Sequence, residues 1–448
     1  MVYQVFKWLF YLTIKAYFKT IYIKGTHHIP QSGPVIFVAN HNSAFMDPIL
    51  LGVHVKRPLY FLARGESFKS KLIAWIFKRF HMIPVYRPEV TPEKVYKNKA
   101  VFQRCFEHLK AKKALIIFPE GFSKTERRLR KIKTGAARIA LGAEDQNNFQ
   151  LGVKIVPIGI NYSNPHYFRS HVFINIGAAI NVSDFKEEYH KDDKQGVVNL
   201  TEKIKKSLEE LLVIVKNERL DRLTAQIEML YKDQFNDSKS IDNNAIKKFT
   251  LSQEIVNGLA LRLKTRPKEL FMFQTKLNSY FRRLNQLKLR DEYLGNLKIR
   301  VDLWSNLLYF IFGLPIFLFG FISNIIPYKV AELLAKKIIV RKDFVGSMKI
   351  AFGMFVFLIF YIVLTILFAQ YIHKIYALVF LCALYPTGLF ALNYIKNFYL
   401  FREKIRYFQL NTRKNKPLAK LRRRRKELIN EVDHVRKLYL QSLESKGY

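Results

Sequence analysis

His41 and Asp47 lie in the run Ala39-Asn40-His41-Asn42-Ser43-Ala44-Phe45-Met46-Asp47-Pro48. An imidazole held by a carboxylate can strip a proton from an alcohol near neutral pH, because histidine has an unperturbed pKa of about 6.5. The carboxylate keeps one ring nitrogen protonated and leaves the other free to accept, as in a Ser-His-Asp triad with a substrate hydroxyl in place of the serine. Such a pair needs no nucleophile from the protein and suits transfer of a group to an alcohol through a tetrahedral intermediate. Backbone N–H groups in the loop, or at the helix start near Asp47, are the expected stabilisers of the oxyanion that forms. Two elements must position the pair. The apolar run Val35 to Ala39 reads as a buried strand, and Asp47-Pro48 ahead of Ile49, Leu50 and Leu51 reads as a helix start, with Asp47 as N-cap and Pro48 as first helical residue. On one continuous helix, a separation of six residues at about 100° each would leave the side chains roughly 120° apart, so contact requires an irregular turn. Taken alone, Asp47 reads equally as a cap worth about 1 kcal/mol, and His41 as an ordinary loop histidine.

Three further blocks follow in order: Phe80-His81-Met82-Ile83-Pro84-Val85-Tyr86-Arg87, then Phe118-Pro119-Glu120-Gly121-Phe122-Ser123, then Val156-Pro157-Ile158-Gly159. The ordered set, spread over residues 30 to 180, resembles the glycerolipid acyltransferases that acylate glycerol 3-phosphate or its monoacyl product. That family usually has four residues between His and Asp, and this chain has five. The wider spacing, with Lys133-Thr134-Gly135-Ala136-Ala137-Arg138, is similar to the subgroup that includes the yeast-type glycerol-3-phosphate acyltransferases. The run Gly121-Phe122-Ser123-Lys124 departs from the Thr-Arg-Ser of many members, so the resemblance does not assign the phosphate-binding cation after Glu120.

Arg87 ends a strand-like segment, Met82 to Tyr86, at the place where an α/β sheet builds its site, and its guanidinium can hold a phosphate bidentately. It reads equally as a solvated arginine before Pro88. The resemblance implies that Glu120 and Gly121 help bind the glycerol-phosphate moiety. A carboxylate does not attract phosphate, so Glu120 is expected to bind a glycerol hydroxyl or to orient Arg87. Gly121 also reads as a turn residue needing positive φ. Ser123 is a phosphate donor or a cap. Lys133, ahead of the helix-like Ala136 to Ala143, places a cation near a helix N-terminus or is one more basic surface residue. Val156 to Gly159 reads first as a buried strand, and second as a wall for an acyl chain.

Composition sets the surroundings. The 448 residues are 50% hydrophobic, which excludes a disordered chain and leaves room for more than one domain. Lys plus Arg number 75 against 35 Asp plus Glu, a net charge of +40 that calls for an anionic partner. Without zinc-ligand spacing or a ribonucleoprotein aromatic signature, and with long uncharged apolar runs, that partner is a bilayer with anionic phospholipids rather than nucleic acid. Cys105 and Cys382 stand far apart in apolar surroundings, which argues against a disulfide framework and fits a reducing compartment.

Short apolar runs alternate with helix-like segments from Val35 to about Ile180. The expected fold class is therefore α/β, a mixed sheet covered by helices, followed by a helical extension and C-terminal transmembrane helices. The expected divisions are an interfacial anchoring helix at 1–23, an acyltransferase domain at 24–198, a helical extension at 199–302, a membrane domain at 303–398 and a basic cytoplasmic tail at 399–448. Leu303 to Tyr328, Ala351 to Ile372 and Ile375 to Ile395 each exceed the roughly 18 uncharged residues of a membrane-span candidate. Basic flanks put Lys329 to Lys349 and the tail, with its run Arg422 to Lys426, on the cytoplasmic side, so the last two spans form a hairpin. Leu303 to Tyr328 then cannot cross once, and Gly313-Leu314-Pro315 and Gly320 are expected to break it into a re-entrant pair of short helices.

These readings converge on an integral-membrane O-acyltransferase with its catalytic domain on the cytoplasmic face. His41 is the expected base and Asp47 its orienting partner, and Arg87, Glu120, Gly121, Ser123 and Lys133 form the acceptor site. The co-substrate is acyl-CoA or acyl carrier protein, the acceptor lysophosphatidate or glycerol 3-phosphate, and neither metal nor other cofactor is called for. The alternatives are an acyltransferase acting on another lipid alcohol, such as a lysophospholipid or an ornithine lipid, and a non-catalytic scaffold that binds anionic lipid.

Overall fold

In the computed structural model, which describes residues 2–68, 70–231, 241–295, 303–338, 341–412 and 416–444, the chain divides into two compact units. One comprises Met1–Ile214 with Leu334–Met354, the other Val215–Leu333 with Phe355–Tyr448.

The first unit begins with α1 (Val2–Tyr17), β1 (Phe18–Lys24), β2 (Val35–Ala39), α2 (Met46–His54), β3 (Leu59–Arg64), α3 (Lys71–Arg79) and β4 (Met82–Val85). It continues through α4 (Asn98–Lys110), β5 (Ala114–Ile117), α5 (Gly135–Asp145), β6 (Lys154–Tyr162), β7 (Ser170–Ile176), β8 (Ile180–Asn181), α6 (Lys186–Lys191) and α7 (Asp193–Glu210). The eight strands form one mixed sheet in the order β1-β7-β6-β2-β5-β3-β4, with β8 pairing β6. Pairs from β6 through β2, β5 and β3 to β4 are parallel, and β6–β7 is antiparallel. The centre of the sheet is β2, wholly buried because both its faces are covered: Ile36 and Val38 point into a core with Cys105, Ile139 and Leu200, while Val35, Phe37 and Ala39 point into another with Ile14, Leu50 and Ile174. Cys105 is buried and Cys382 exposed, and both are free thiols.

Three boundaries differ from those read in the sequence. The N-terminal segment is not one interfacial helix, because Phe18–Lys24 pairs in parallel with β7. Its helical part docks one edge on the domain through buried Ile14 and Tyr17 and a bond from Lys7 Nζ to the Val55 carbonyl (2.9 Å), and leaves Val5, Trp8 and Leu12 exposed as an apolar stripe. The helix at 193–210 belongs to the first unit rather than the extension, since Leu200, Ile204 and Leu208 fill the sheet core. Finally, residues 334–354 belong to the first unit, with Ile350 buried in its core.

The chain goes on through α8 (Glu218–Leu230), α9 (Ile241–Thr265), α10 (Pro267–Leu287), α11 (Leu303–Ile338), α12 (Val345–Tyr371), α13 (Lys374–Thr412) and α14 (Lys416–Glu444). Residues 232–240 and 296–302 of the expected extension, and 413–415 and 445–448 of the expected tail, lie outside the described residues. Three helices, Leu303–Ile338, Val345–Tyr371 and Lys374–Asn411, are long and apolar enough to cross a membrane. The expected break in the first is absent: α11 is a single helix of 36 residues, about 54 Å long, running through Pro315 and Pro327. Gly320 serves close packing instead, because a Cβ there would stand 2.1 Å from the Thr387 carbonyl oxygen of α13. Neighbouring Asn324 donates to the Leu384 carbonyl (3.1 Å) and accepts from the Tyr361 hydroxyl (2.5 Å). Of the expected basic tail, residues 399–412 are the end of α13 and Lys416–Glu444 form the packed helix α14. From its run of cations, Arg425 is buried against Asp291 (Nε to Oδ2, 2.9 Å), so part of the positive charge is structural.

Candidate active site

His41 follows β2 and precedes an irregular turn that ends where α2 begins at Met46. That turn brings Nδ1 of His41 to 2.8 Å from Asp47 Oδ2, which a continuous helix would not allow. An ionised carboxylate only accepts, so Nδ1 carries the proton and Nε2 presents its lone pair. No partner holds Nε2 among the described residues. The ring stacks on Phe118 at a centroid distance of 4.3 Å, which fixes its plane. Asp47 is fully buried and its oxygens are fully used: Oδ2 also accepts from the Ser43 N–H (2.8 Å), and Oδ1 from the Tyr162 hydroxyl (2.7 Å). Burial, then the Asp47 charge, pushes the Tyr162 phenol well above its usual range, so it stays a donor.

The expected cap is not formed. Phe45 is the N-cap, without a side-chain bond, and Asp47 sits in the first turn with its carboxylate turned to His41. The helix-start donors expected for an oxyanion are likewise committed, the Met46 N–H to Ser347 Oγ (3.0 Å) and the Asp47 N–H to the Ser43 carbonyl (3.1 Å).

Because β2, β5, β3 and β4 lie side by side and parallel, their carboxyl ends share one edge of the sheet, where open α/β sheets bind ligands. The edge carries His41, Glu120, Arg64 and Arg87 in that spatial order. At about 4.8 Å per strand, Arg64 and Arg87 start about 10 and 14 Å from the His41 strand. Glu120, 3% exposed, accepts from the His41 N–H (2.8 Å) and the Arg130 N–H (3.4 Å). It braces the loop after β2 rather than orienting Arg87. Burial pushes its carboxyl up to about 7, against the two N–H bonds that favour the anion. Gly121 has φ +76°, and a Cβ there would press on Lys133 Cε at 3.2 Å. Arg87 donates from Nη1 to the Gly121 carbonyl (3.2 Å) and lies 3.6 Å from Glu66. Lys133 packs along Gly121 but pairs with Glu89 (2.7 Å). The hydroxyl of Ser123 donates to Asp343, so Ser123 is a partner of the segment after α11. The block Val156 to Gly159 is an internal strand with Val156 and Ile158 fully buried, and Gly159 lets the Leu211 backbone approach.

Sequence reasoning missed several residues. Arg64 ends an apolar strand just as Arg87 follows one, so the same rule points to it. Asn40 closes β2 onto β6 by exchanging bonds with the Ile160 backbone (3.0 and 2.7 Å), an amide mimicking one more strand residue. Tyr162 and the stretch Arg341–Ser347 come from far along the chain and carry no local signal. Among the described residues no group of three or more His, Cys, Asp or Glu gathers to hold a metal.

The acyltransferase family model matches residues 20–161, a span that includes His41, Asp47, Arg64, Arg87 and Glu120. Those residues are an acyltransferase-family domain. Over 320 residues the chain is 27% identical to glycerol-3-phosphate O-acyltransferase 1 of Saccharomyces cerevisiae, covering 52% of this chain and 42% of that protein. Over 148 residues it is 28% identical to the chloroplastic 1-acyl-sn-glycerol-3-phosphate acyltransferase LPAT1 of Arabidopsis thaliana, covering 33% and 37%. The chain thus spans under half the length of these curated relatives. The crystal structure of the 1-acyl-sn-glycerophosphate acyltransferase PlsC from Thermotoga maritima aligns with 47% of this chain and 80% of that one, at 19% identity and a TM-score of 0.34.

Proposed function

We propose that this chain is a membrane-associated O-acyltransferase that moves a fatty acyl group from a thioester carrier, acyl-CoA or acyl carrier protein, to a hydroxyl of glycerol 3-phosphate or lysophosphatidate. The observation that carries the reading is the 2.8 Å bond between His41 Nδ1 and Asp47, which leaves Nε2 as a base at the sheet edge that also carries Arg64 and Arg87. His41 Nε2 takes the acceptor's hydroxyl proton as that oxygen attacks the thioester carbonyl. The tetrahedral intermediate collapses, the C–S bond breaks, and the imidazolium returns the proton to the leaving thiolate. Asp47 holds the ring and offsets its positive charge. The cations bind the acceptor's phosphate and so set its hydroxyl beside Nε2.

The same reading places the catalytic unit on the cytoplasmic face, where the acyl carriers are. In this reading α12 and α13, both long and apolar enough to cross a membrane, form a hairpin that returns the chain to the same face. Cysteines introduced at Lys186 and Lys396 should label from one face of sealed vesicles, and labelling from opposite faces overturns this topology.

The activity is tested on the purified full chain in detergent or vesicles, with each carrier and with glycerol 3-phosphate, lysophosphatidate and a phosphate-free monoacylglycerol, products being read by mass spectrometry. Acyl product with a phosphate-bearing acceptor, lost in His41→Ala, is the expected result. No product with any pair, or product that survives His41→Ala, refutes the reading.

A further inference from the structure

We infer that Arg341, carried on the segment between α11 and α12, is a phosphate-binding residue of the acceptor site, and that the site is incomplete without that segment. The inference rests on the acyltransfer reading and adds to it a residue from outside the acyltransferase-family domain at 20–161.

The loop after β5 has no cation of its own at Gly121, Phe122 or Ser123, and Lys124 is drawn away to Glu126 (3.4 Å). Positive charge reaches it from two sides. Arg87 donates to the Gly121 carbonyl (3.2 Å), and Arg341 Nη2 donates to the Ser123 carbonyl (3.1 Å). Arg341 is held there by a built support. Its Nε and Nη2 fork onto Asp343 (3.1 and 2.8 Å), a buried carboxylate that also accepts from the Ser123 hydroxyl. The Asp343 carbonyl accepts from Ser43 (3.3 Å), and fully buried Ser347 accepts the Met46 N–H (3.0 Å). Gly346 leaves no slack, since a Cβ there would stand 2.2 Å from the Pro165 carbonyl oxygen. The segment is therefore bonded to the base-carrying loop and to the Glu120 loop at once.

Charge gives the support a purpose. Arg64 lies within the field of two like charges, Arg87 and Arg341, and of two opposing carboxylates, Glu66 and Asp343, which makes three cations against two anions around it. Arg87 has Glu66, Arg341 has Asp343, and no hydrogen bond or ion pair holds Arg64 among the described residues. Burial first, then the charges of Arg87 and Arg341, hold the Arg64 guanidinium below its ordinary value. A partly buried surplus cation is costly until an anion arrives. Arg341 can share that anion, because its side chain is 45% exposed and its Nη1 has no partner among the described residues. A phosphate dianion between Arg64 and Arg341 would balance the cluster with charge-assisted bonds.

The test compares wild type, Arg341→Ala, Arg341→Lys and Ser347→Ala as full chains. Kinetics are run with glycerol 3-phosphate and with monoacylglycerol, and inorganic phosphate serves as a competing ligand. Arg341→Ala should raise the KM for glycerol 3-phosphate roughly ten- to hundredfold, the loss expected for a charged hydrogen bond, and weaken phosphate inhibition in parallel. Arg341→Lys, which keeps the charge and loses the fork, should fall between. Ser347→Ala should lower kcat alike for every acceptor turned over, with phosphate inhibition unchanged, which is the signature of positioning alone. If Arg341→Ala shows that positioning signature, or leaves both KM and phosphate inhibition at wild-type values, the inference is overturned while the acyltransfer reading stands. A wild-type chain without turnover sinks the acyltransfer reading instead, and phosphate binding by calorimetry, weakened by Arg341→Ala or not, then decides the anion site by itself.

Discussion

Replacing Asp47 by asparagine isolates one charge. The amide can turn its oxygen toward His41 Nδ1 and the Ser43 N–H, keeping both 2.8 Å contacts, and offer its NH2 to the Tyr162 oxygen, so the shape and these contacts survive while the Tyr162 hydroxyl proton loses its acceptor. What goes is the negative charge facing an imidazolium in the transition state. Two unit charges about 4 Å apart, at an effective dielectric of about 20, interact by about 4 kcal/mol, which converts to about a 10³-fold fall in kcat. Because Asp47 does not cap α2, the stability cost is confined to weaker bonds in a buried cluster, about 1–2 kcal/mol. Thiol release from acyl-CoA reads the rate, and thermal unfolding followed by circular dichroism reads the fold. Turnover within about threefold of wild type, with an intact fold, would falsify the assignment of His41 as a carboxylate-supported base.

Two further outcomes follow from the same geometry. Glu120 ionises in the unfolded chain near 4.5 and in the folded one at about 7, so its contribution to stability is full below the lower value and is lost as pH rises through the upper one. Glu120→Gln should remove that fall, of order 3 kcal/mol, from the unfolding free energy measured across this window; identical pH profiles for variant and wild type would contradict the burial argument. Gly159→Ala would set a Cβ 2.3 Å from the Leu211 carbonyl oxygen and should cost about 1–3 kcal/mol, whereas Gly135→Ala, which meets nothing within 4 Å, should be neutral or slightly stabilising. Equal melting temperatures for these two variants would refute the packing explanation of Gly159.

The mixed sheet and the pairing of His41 with Asp47 were legible because they rest on local signals: apolar runs bounded by turn residues, and a short spacing between a base and a carboxylate. Strand ends were legible for the same reason, and Arg64 was overlooked although it satisfies the rule that picked out Arg87. The cap assignment failed because Asp47 has better partners than the helix N-terminus, namely His41, Ser43 and Tyr162. Phe18–Lys24 looked like a continuation of an apolar helix because its pairing partner, β7, lies about 150 residues away. Glycine and proline suggested a break in α11, yet Gly320 answers to a neighbouring helix rather than to its own backbone. The largest gap was the stretch Arg341–Ser347, whose role is written in contacts with residues some 220 to 300 positions earlier and in no local pattern.

The bond between the Met46 N–H and Ser347 joins residues 301 positions apart. On a ribosome, the sheet and its base-carrying loop emerge long before the piece that fastens them, and closing so wide a loop is slow as well as entropically costly. If the proposed acyltransfer holds, a nascent chain would carry an unfinished site until Ser347 emerges, after apolar α11 and at the start of α12, so that completion of the site would follow synthesis of the first candidate membrane helix.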